Sequence, residues 1–164
     1  MKRRWQLEQE QLVPRPRDAV FSFFADAHNL ERLTPDFLGF RILTPAPIQM
    51  GEGTLIDYSL RLYGVRLRWK TRIECFEPPA RFVDLQLQGP YRHWRHLHEF
   101  EETRDGTRMR DVVDYELPLG PLGTVARSLF VRRALTRIFD YRRAAIAEVF
   151  PPPGSAVENG RSNG

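Results

Sequence analysis

Apolar and polar positions alternate along most of this chain, and where the alternation stops the period becomes helical. Trp5, Leu7, Gln9, Gln11 and Val13 share one side of a segment whose other side carries Gln6, Glu8 and Glu10. This imperfect period of two predicts a first strand over Trp5–Val13. Pro16 stands where a first helical turn accepts proline, and Ala19, Val20, Phe23 and Phe24 follow at helical spacing, so 16–25 reads as a short helix. Asp26 suits the cap of a second short helix over 27–33. Thr34-Pro35 ends it, because a residue before proline avoids helical geometry.

From Phe40 onward the period is two. Strands are expected at 40–44, 54–62, 65–76, Arg81–Gln88, 94–103 and 107–117, separated by the turn signals Gly51-Glu52-Gly53, Tyr63-Gly64, Pro78-Pro79, Gly89-Pro90 and Asp105-Gly106. A two-residue turn at Tyr63-Gly64 puts Leu62 by Val65, Leu60 by Leu67 and Tyr58 by Trp69. The same construction at Asp105-Gly106 sets Phe100 opposite Asp111, His98 opposite Val113 and His96 opposite Tyr115, with Glu101 facing Arg110 and Arg95 facing Glu116 on the other side. After the last strand, Pro121 opens a long amphipathic helix. Its apolar stripe is Leu122, Val125, Leu129, Ile138, Ile146 and Val149, widened by Phe130, Leu135, Phe139 and Ala145; its polar side carries Arg127, Arg132, Arg133, Arg137, Arg142 and Arg143.

Composition narrows this picture. The chain has 164 residues, 41% of them hydrophobic, which is enough for one domain with one core, read here as residues 1–150. Residues 151–164, rich in proline, glycine and small polar residues, are expected to form an unstructured tail. Cys75 is the sole cysteine, so an internal disulfide, a zinc ribbon and a CxxC redox pair are excluded. Met1-Lys2-Arg3-Arg4 is followed by no apolar run, and no stretch reaches membrane-spanning length, so a cytoplasmic protein is expected. The formal charge is +4, and of 25 basic residues only Lys2 and Lys70 are lysine. Arg66, Arg68, Lys70 and Arg72 alternate on the outer face of one strand, which admits transient contact with an anionic membrane surface. Acidic residues are interspersed and no basic-flanked aromatic platform exists, so a nucleic-acid partner is not expected. Oligomeric state is left open.

The element order, together with Leu30-x-x-Leu33-Thr34-Pro35, Gly89-Pro90-Tyr91-x-x-Trp94-x-His96-x-His98-x-Phe100 and Gly106-Thr107-x-Met109-x-Asp111-x-Val113-x-Tyr115, resembles the SRPBCC superfamily. That group includes START domains, Bet v 1-like proteins and polyketide cyclase/dehydrase-like proteins. The resemblance spans roughly residues 5 to 150 and implies an α+β helix-grip fold: a curved seven-stranded antiparallel sheet around the long C-terminal helix, two short helices between the first two strands, and an apolar cavity for lipids, steroids or polyketides. Members share no universal catalytic motif, so no catalytic residue carries over.

Alternation assigns an inner face to Ile56, Tyr58, Leu60 and Leu62, to Val65, Leu67, Trp69, Thr71 and Ile73, and to the corresponding positions of the later strands. The expected ligand contacts are Tyr58, Leu60, Trp69, Thr71, Phe82, Asp84, Gln86, Trp94, His96, His98, Phe100, Met109, Asp111, Val113 and Tyr115, with Leu129 and Ile138 of the helix closing the cavity. Asp84, Gln86, His96, His98 and Asp111 are costly to bury unless bonded to one another or to a ligand. Three readings stay open: a structural polar network, the hydrogen-bonding end of a pocket, or acid–base chemistry by His98 with Asp84 or Asp111 orienting it. His96-Leu97-His98 projects two imidazoles to one side and with an aspartate has metal-ligand spacing, but most such pairs bind nothing and no metal or other cofactor is expected. The expected ligand is a small hydrophobic molecule, carried or sensed; a cyclase or dehydratase acting on a polyketide-like substrate in the same cavity is the alternative. No GxSxG, HExxH or P-loop pattern occurs.

Overall fold

The computed structural model describes residues 4–62, 64–118 and 121–154, with the backbone alone for 121–128. Strand β1 (Trp5–Val13) leads into helices α1 (Arg17–Ala25) and α2 (Asn29–Arg32), then a 3-10 turn at Asp36–Leu38 that the sequence pattern does not announce. Six strands follow: β2 (Arg41–Ile42), β3 (Leu55–Leu62), β4 (Val65–Glu77), β5 (Arg81–Gln88), β6 (His93–Thr103) and β7 (Gly106–Glu116). Helix α3 (Pro121–Val149) is the last element. The strands form one antiparallel sheet in the order β1-β7-β6-β5-β4-β3-β2. Five consecutive strands are joined by short connections, while α1, α2 and the 3-10 turn carry the chain from one edge of the sheet to the other. This is the expected helix-grip architecture. No helix among the described residues is long and apolar enough to cross a membrane. The tail from 155 on, Tyr63 and the side chains of Leu122, Val125 and Arg127 lie outside the described residues.

The β3–β4 hairpin has the expected register, with Tyr58 opposite Trp69. The β6–β7 hairpin is shifted by two residues: Phe100 faces Met109, His98 faces Asp111, His96 faces Val113 and Trp94 faces Tyr115. Arg104 and Asp105 make the turn, and Gly106 is the first residue of β7. Tertiary packing explains why. Gly106 has φ +136° and lies so close to the end of β1 that a Cβ there would sit 2.3 Å from the Val13 carbonyl oxygen, so it must meet β1 instead of forming the turn. On the outer face the charge pairs change with the register. Glu101 faces Arg108, Arg110 bonds Glu99 (2.8 Å) and Glu8 (2.6 Å), and Arg95 reaches Glu74 (2.6 Å).

Next to this glycine, Thr107 is fully buried and its hydroxyl donates to the Arg15 carbonyl at 2.8 Å, tying the turn after β1 to β7. Thr107→Val keeps the shape and removes the donor. An expected loss of about 1 kcal/mol in unfolding free energy follows from the orphaned carbonyl, read as a lower urea midpoint. An unchanged midpoint would show that the bond contributes nothing.

The core has two large apolar lobes and a smaller cluster of Ala27, Ile56 and Ile73. Phe21 and Phe24 of α1 pack with Phe82, Phe100, Met109 and Ile146 at one end; Trp69, Trp94, Val113, Tyr115, Leu135 and Phe139 fill the other. Helix α3 inserts Leu135, Phe139, Arg142 and Ile146, all buried. At 3.6 residues per turn Arg142 projects within about 20° of Leu135, whereas Leu129 lies about 120° away. Two expectations are therefore corrected: Arg142 belongs to the inward face, not the polar side, and Leu129 is 56% exposed and closes nothing.

Candidate functional site

Between the two lobes runs a polar layer, built where each inward element changes from apolar to polar and back. Strand β6 goes from Trp94 through His96 and His98 to Phe100. Strand β7 goes from Met109 through Asp111 to Val113, β5 places Asp84 beside Phe82, and α3 contributes Arg142 between Phe139 and Ile146. His98 lies between two carboxylates, its Nε2 2.9 Å from Asp84 Oδ2 and its Nδ1 2.8 Å from Asp111 Oδ1. His96 donates from Nε2 to Asp111 Oδ1 at 3.0 Å, and its Nδ1 is 3.6 Å from Asp84 Oδ2. Arg142 Nε is 3.4 Å from Asp111 Oδ2, and its guanidinium lies over the Phe24 ring at 5.1 Å. The imidazoles lie close but tilted, 3.8 Å between centroids at 40°, and His98 stacks on Phe82 at 4.2 Å. Both aspartates contact His98, and the shifted register brings Asp111 directly opposite it, where the expected register had set Val113. Asp111 is its direct cross-strand neighbour and Asp84, which faces His96, reaches it diagonally.

Burial favours the neutral form of every member, and the neighbours decide the outcome. For Asp111, burial pushes the carboxyl up, but the Arg142 charge and the bonds to both histidines outweigh it and hold the group well below its ordinary value. Burial likewise raises Asp84, and the His98 hydrogen bond with the charges around it brings the balance below the ordinary value. In His98 burial favours the neutral ring, yet Asp111 and Asp84 together raise its pKa above 6.5. His96 goes the other way: burial and the charge on His98 lower it despite Asp111. The neighbours thus favour charge on both carboxyl groups and on His98, and burial with the His98 charge opposes it on His96.

One side of this layer faces a cavity of about 190 Å³ bordered by α1, β3 to β6, α3 and the segment from Asp26 to Phe40. Nine of the expected contacts line it: Tyr58, Leu60, Trp69, Thr71, Phe82, Asp84, Trp94, His96 and His98. Tyr58 stacks on Trp69 (5.7 Å, 16°), Trp94 stands edge-on to Trp69 (5.3 Å, 90°), and the indole N–H of Trp69 donates to Thr71 Oγ1 at 3.1 Å. Six expected contacts do not line it. Phe100 and Met109 pack against α1, and Val113 and Tyr115 are filled over by α3 and Trp94. Asp111 lies behind the histidines, and Gln86 spends its amide on the Tyr91 backbone, donating from Nε2 to the carbonyl at 2.7 Å. Ile138 lines the cavity as expected, joined by Leu135, Phe139 and Arg142, and the loop side adds Leu30, Leu33, Leu38 and Tyr91. The signal for Arg142 was its helical phase with Leu135 and Ile146. For the loop residues no periodic signal exists.

Asp84, His96 and His98 bring one ligand atom each within 4.8 Å of one another, close enough for a metal ion. Their donor atoms face one another and Asp111, and the Arg142 Nη2 lies 3.3 Å from His98 Nδ1. The nitrogens nearest Asp84 Oδ2 are His98 Nε2 and His96 Nδ1, not the His98 nitrogen that Arg142 approaches, and an ion held there would replace the His98–Asp84 hydrogen bond.

The profile of a family described as polyketide cyclase / dehydrase and lipid transport matches residues 13–140. No curated protein sequence matches the chain. Among solved structures, the ZhuI aromatase/cyclase from Streptomyces sp. R1128 superposes with a TM-score of 0.70 at 15% identity, over 90% of this chain and 93% of that one. Ara h 8.0201 gives 0.59 at 15% identity over 88% and 99%. A nucleoside-diphosphate sugar epimerase from Corynebacterium glutamicum gives 0.65 at 27% identity, over 87% of this chain but 28% of that protein. These likenesses are of fold.

Proposed function

This chain belongs to the polyketide cyclase/dehydrase and lipid transport family of SRPBCC helix-grip domains, and on that premise we propose that it carries or senses a small hydrophobic ligand, a lipid, isoprenoid or polyketide, in the cavity between sheet and long helix. The observation that carries this reading is a mostly apolar cavity walled by Tyr58, Trp69 and Trp94, with the polar layer on one side and Asp26, Asn29 and Thr34 on the loop side. Flat aromatic walls favour extended or ring-bearing apolar molecules. Burial of such a ligand's apolar surface supplies the affinity, and the polar end sets its orientation.

Mass spectrometry of the purified protein under native conditions is expected to reveal such a molecule, and 1-aminoanthracene is expected to bind with enhanced fluorescence. Leu60→Trp, which fills part of the cavity, is expected to weaken that binding by about tenfold or more while leaving the melting temperature near the parent's. Equal affinity in parent and variant would place the dye elsewhere. Thermal shifts by sugars or nucleotides, with none by fatty alcohols, isoprenoids or aromatics, would overturn the reading.

The alternative is a cyclase or dehydratase, favoured by one observation: the hydrogen-bonded run from Asp84 through His98 to Asp111, which can take up and return a proton at the cavity surface. Conversion of a co-purified molecule that stops in Asp84→Asn would support the enzyme. Recovery of that molecule unchanged would support the carrier.

A further inference from the structure

Within the polar layer one group differs from the rest. The side chains of His98, Asp111, His96 and Arg142 are 5–8% exposed, whereas that of Asp84 is 18% exposed and lines the cavity. Its two oxygens are not equivalent. Oδ2 takes the His98 bond at 2.9 Å and is the oxygen nearest His96, while among the described residues Oδ1 makes no hydrogen bond or ion pair.

From this placement we propose that Asp84 Oδ1 is the ligand-facing acceptor of the cavity, and that it selects a neutral hydrophobe carrying an O–H or N–H donor over the corresponding carboxylate. The proposal rests on the cavity being the ligand site. An ionised oxygen held against apolar walls lacks water to solvate it, so a ligand hydroxyl that donates to it satisfies a group otherwise left unpaired. A ligand without a donor leaves that oxygen bare. A ligand carboxylate does worse, because it brings a third anion beside Asp84 and Asp111.

Of the two basic side chains nearest Asp111, His98 has both ring nitrogens engaged by the aspartates, and Arg142, which lines the cavity, holds its buried Nε beside Asp111 without a hydrogen-bond partner. A ligand carboxylate entering from the cavity meets Asp84, 18% exposed, before Arg142, 7% exposed. His98 is therefore a positioning residue in this arrangement: it fixes Oδ2 so that Oδ1 points to the ligand.

Four probes of nearly one shape test this on the full chain at neutral pH: 2-naphthol, 2-methoxynaphthalene, naphthalene and 2-naphthoate, titrated by quenching of the tryptophan fluorescence. Binding of 2-naphthol is expected to be about tenfold or more tighter than that of 2-methoxynaphthalene, as for a hydrogen bond to a charged acceptor, and 2-naphthoate is expected to be the weakest. In Asp84→Asn, checked for its fold by circular dichroism, the naphthol-to-naphthoate ratio is expected to fall by about fivefold or more as the repelling charge is removed. Equal affinities for naphthol and its methyl ether, or naphthoate as tight as naphthol, would overturn the donor selection while the cavity reading stands. An unchanged ratio in folded Asp84→Asn would overturn the role of Asp84. Binding of none of the four would remove the cavity reading and this inference with it.

Discussion

Replacing Arg142 with methionine is expected to lower the unfolding free energy by about 3–5 kcal/mol, the usual cost of deleting one partner of a buried ion pair. For a chain of this length that is a fall in melting temperature of roughly 6–20 °C. The side chain is 7% exposed, and its guanidinium is the positive charge closest to Asp111 Oδ2, at 3.4 Å. Methionine fills the space between Phe24 and Phe139 with apolar atoms, so the loss should come from the orphaned Asp111 carboxylate and not from a void. Two consequences separate charge from packing. Adding Asp111→Asn to Arg142→Met should recover part of the loss, because the uncompensated charge disappears. Equilibrium urea denaturation of the two single variants, the double variant and the parent measures the coupling. A cost under about 1 kcal/mol for Arg142→Met, or no recovery in the double variant, would show that the guanidinium is not the counter-ion of the layer.

His98→Phe is expected to be of similar size, about 3–5 kcal/mol, since the ring that separates Asp84 from Asp111 loses both of its bonds to them. Stacking on Phe82 is retained by the substitution, so the effect isolates the polar contacts. Here pH gives the sharper measurement. A base with a folded pKa above its ordinary 6.5 contributes stability that is fully present below about pH 6.5 and drains away as pH rises through the folded value. The stability difference between parent and His98→Phe should therefore narrow on going from pH 6 toward pH 9.

The neighbours of His98 have their own windows. His96, on the same strand, has a lowered pKa, so its contribution is present above about pH 6.5 and lost as pH falls. Asp84 on β5 and Asp111 on β7 have lowered values, so theirs is present above about pH 4 and lost in acid. Arg142 on α3 faces Asp111, its Nε 3.4 Å from Oδ2. A gap between parent and His98→Phe that stays constant or widens with rising pH would mean that the imidazolium is not the stabilising form.

The polar layer shows why part of the site was legible in the sequence and part was not. His96 and His98 are two apart on a strand, so they share a face whatever the strand pairs with; Asp84 and Asp111 follow by the same rule. Their contact with one another needed only that the three strands be neighbours. A two-residue slip of the β6–β7 register left every face unchanged and altered only which partner stood opposite, because the side-chain period is two. The loop residues that close the cavity, Leu30, Leu33 and Leu38 among them, come from short helical turns with too few residues to carry a periodic signal.

By itself the sequence determined the order of elements, the faces of the strands, and the presence of buried polar groups among aromatic walls, because these depend on periods of two and of 3.6 residues that are local to each segment. Only the tertiary structure decided the register of the last hairpin, since that turned on how closely the end of β1 packs on Gly106. It also decided which polar residues meet the cavity. Gln86 was turned away to the Tyr91 backbone and Asp111 was sealed behind the histidines. It brought Arg142 inside as well: an arginine reads as polar surface in any local window, and only two carboxylates gathered from separate strands make its burial tolerable.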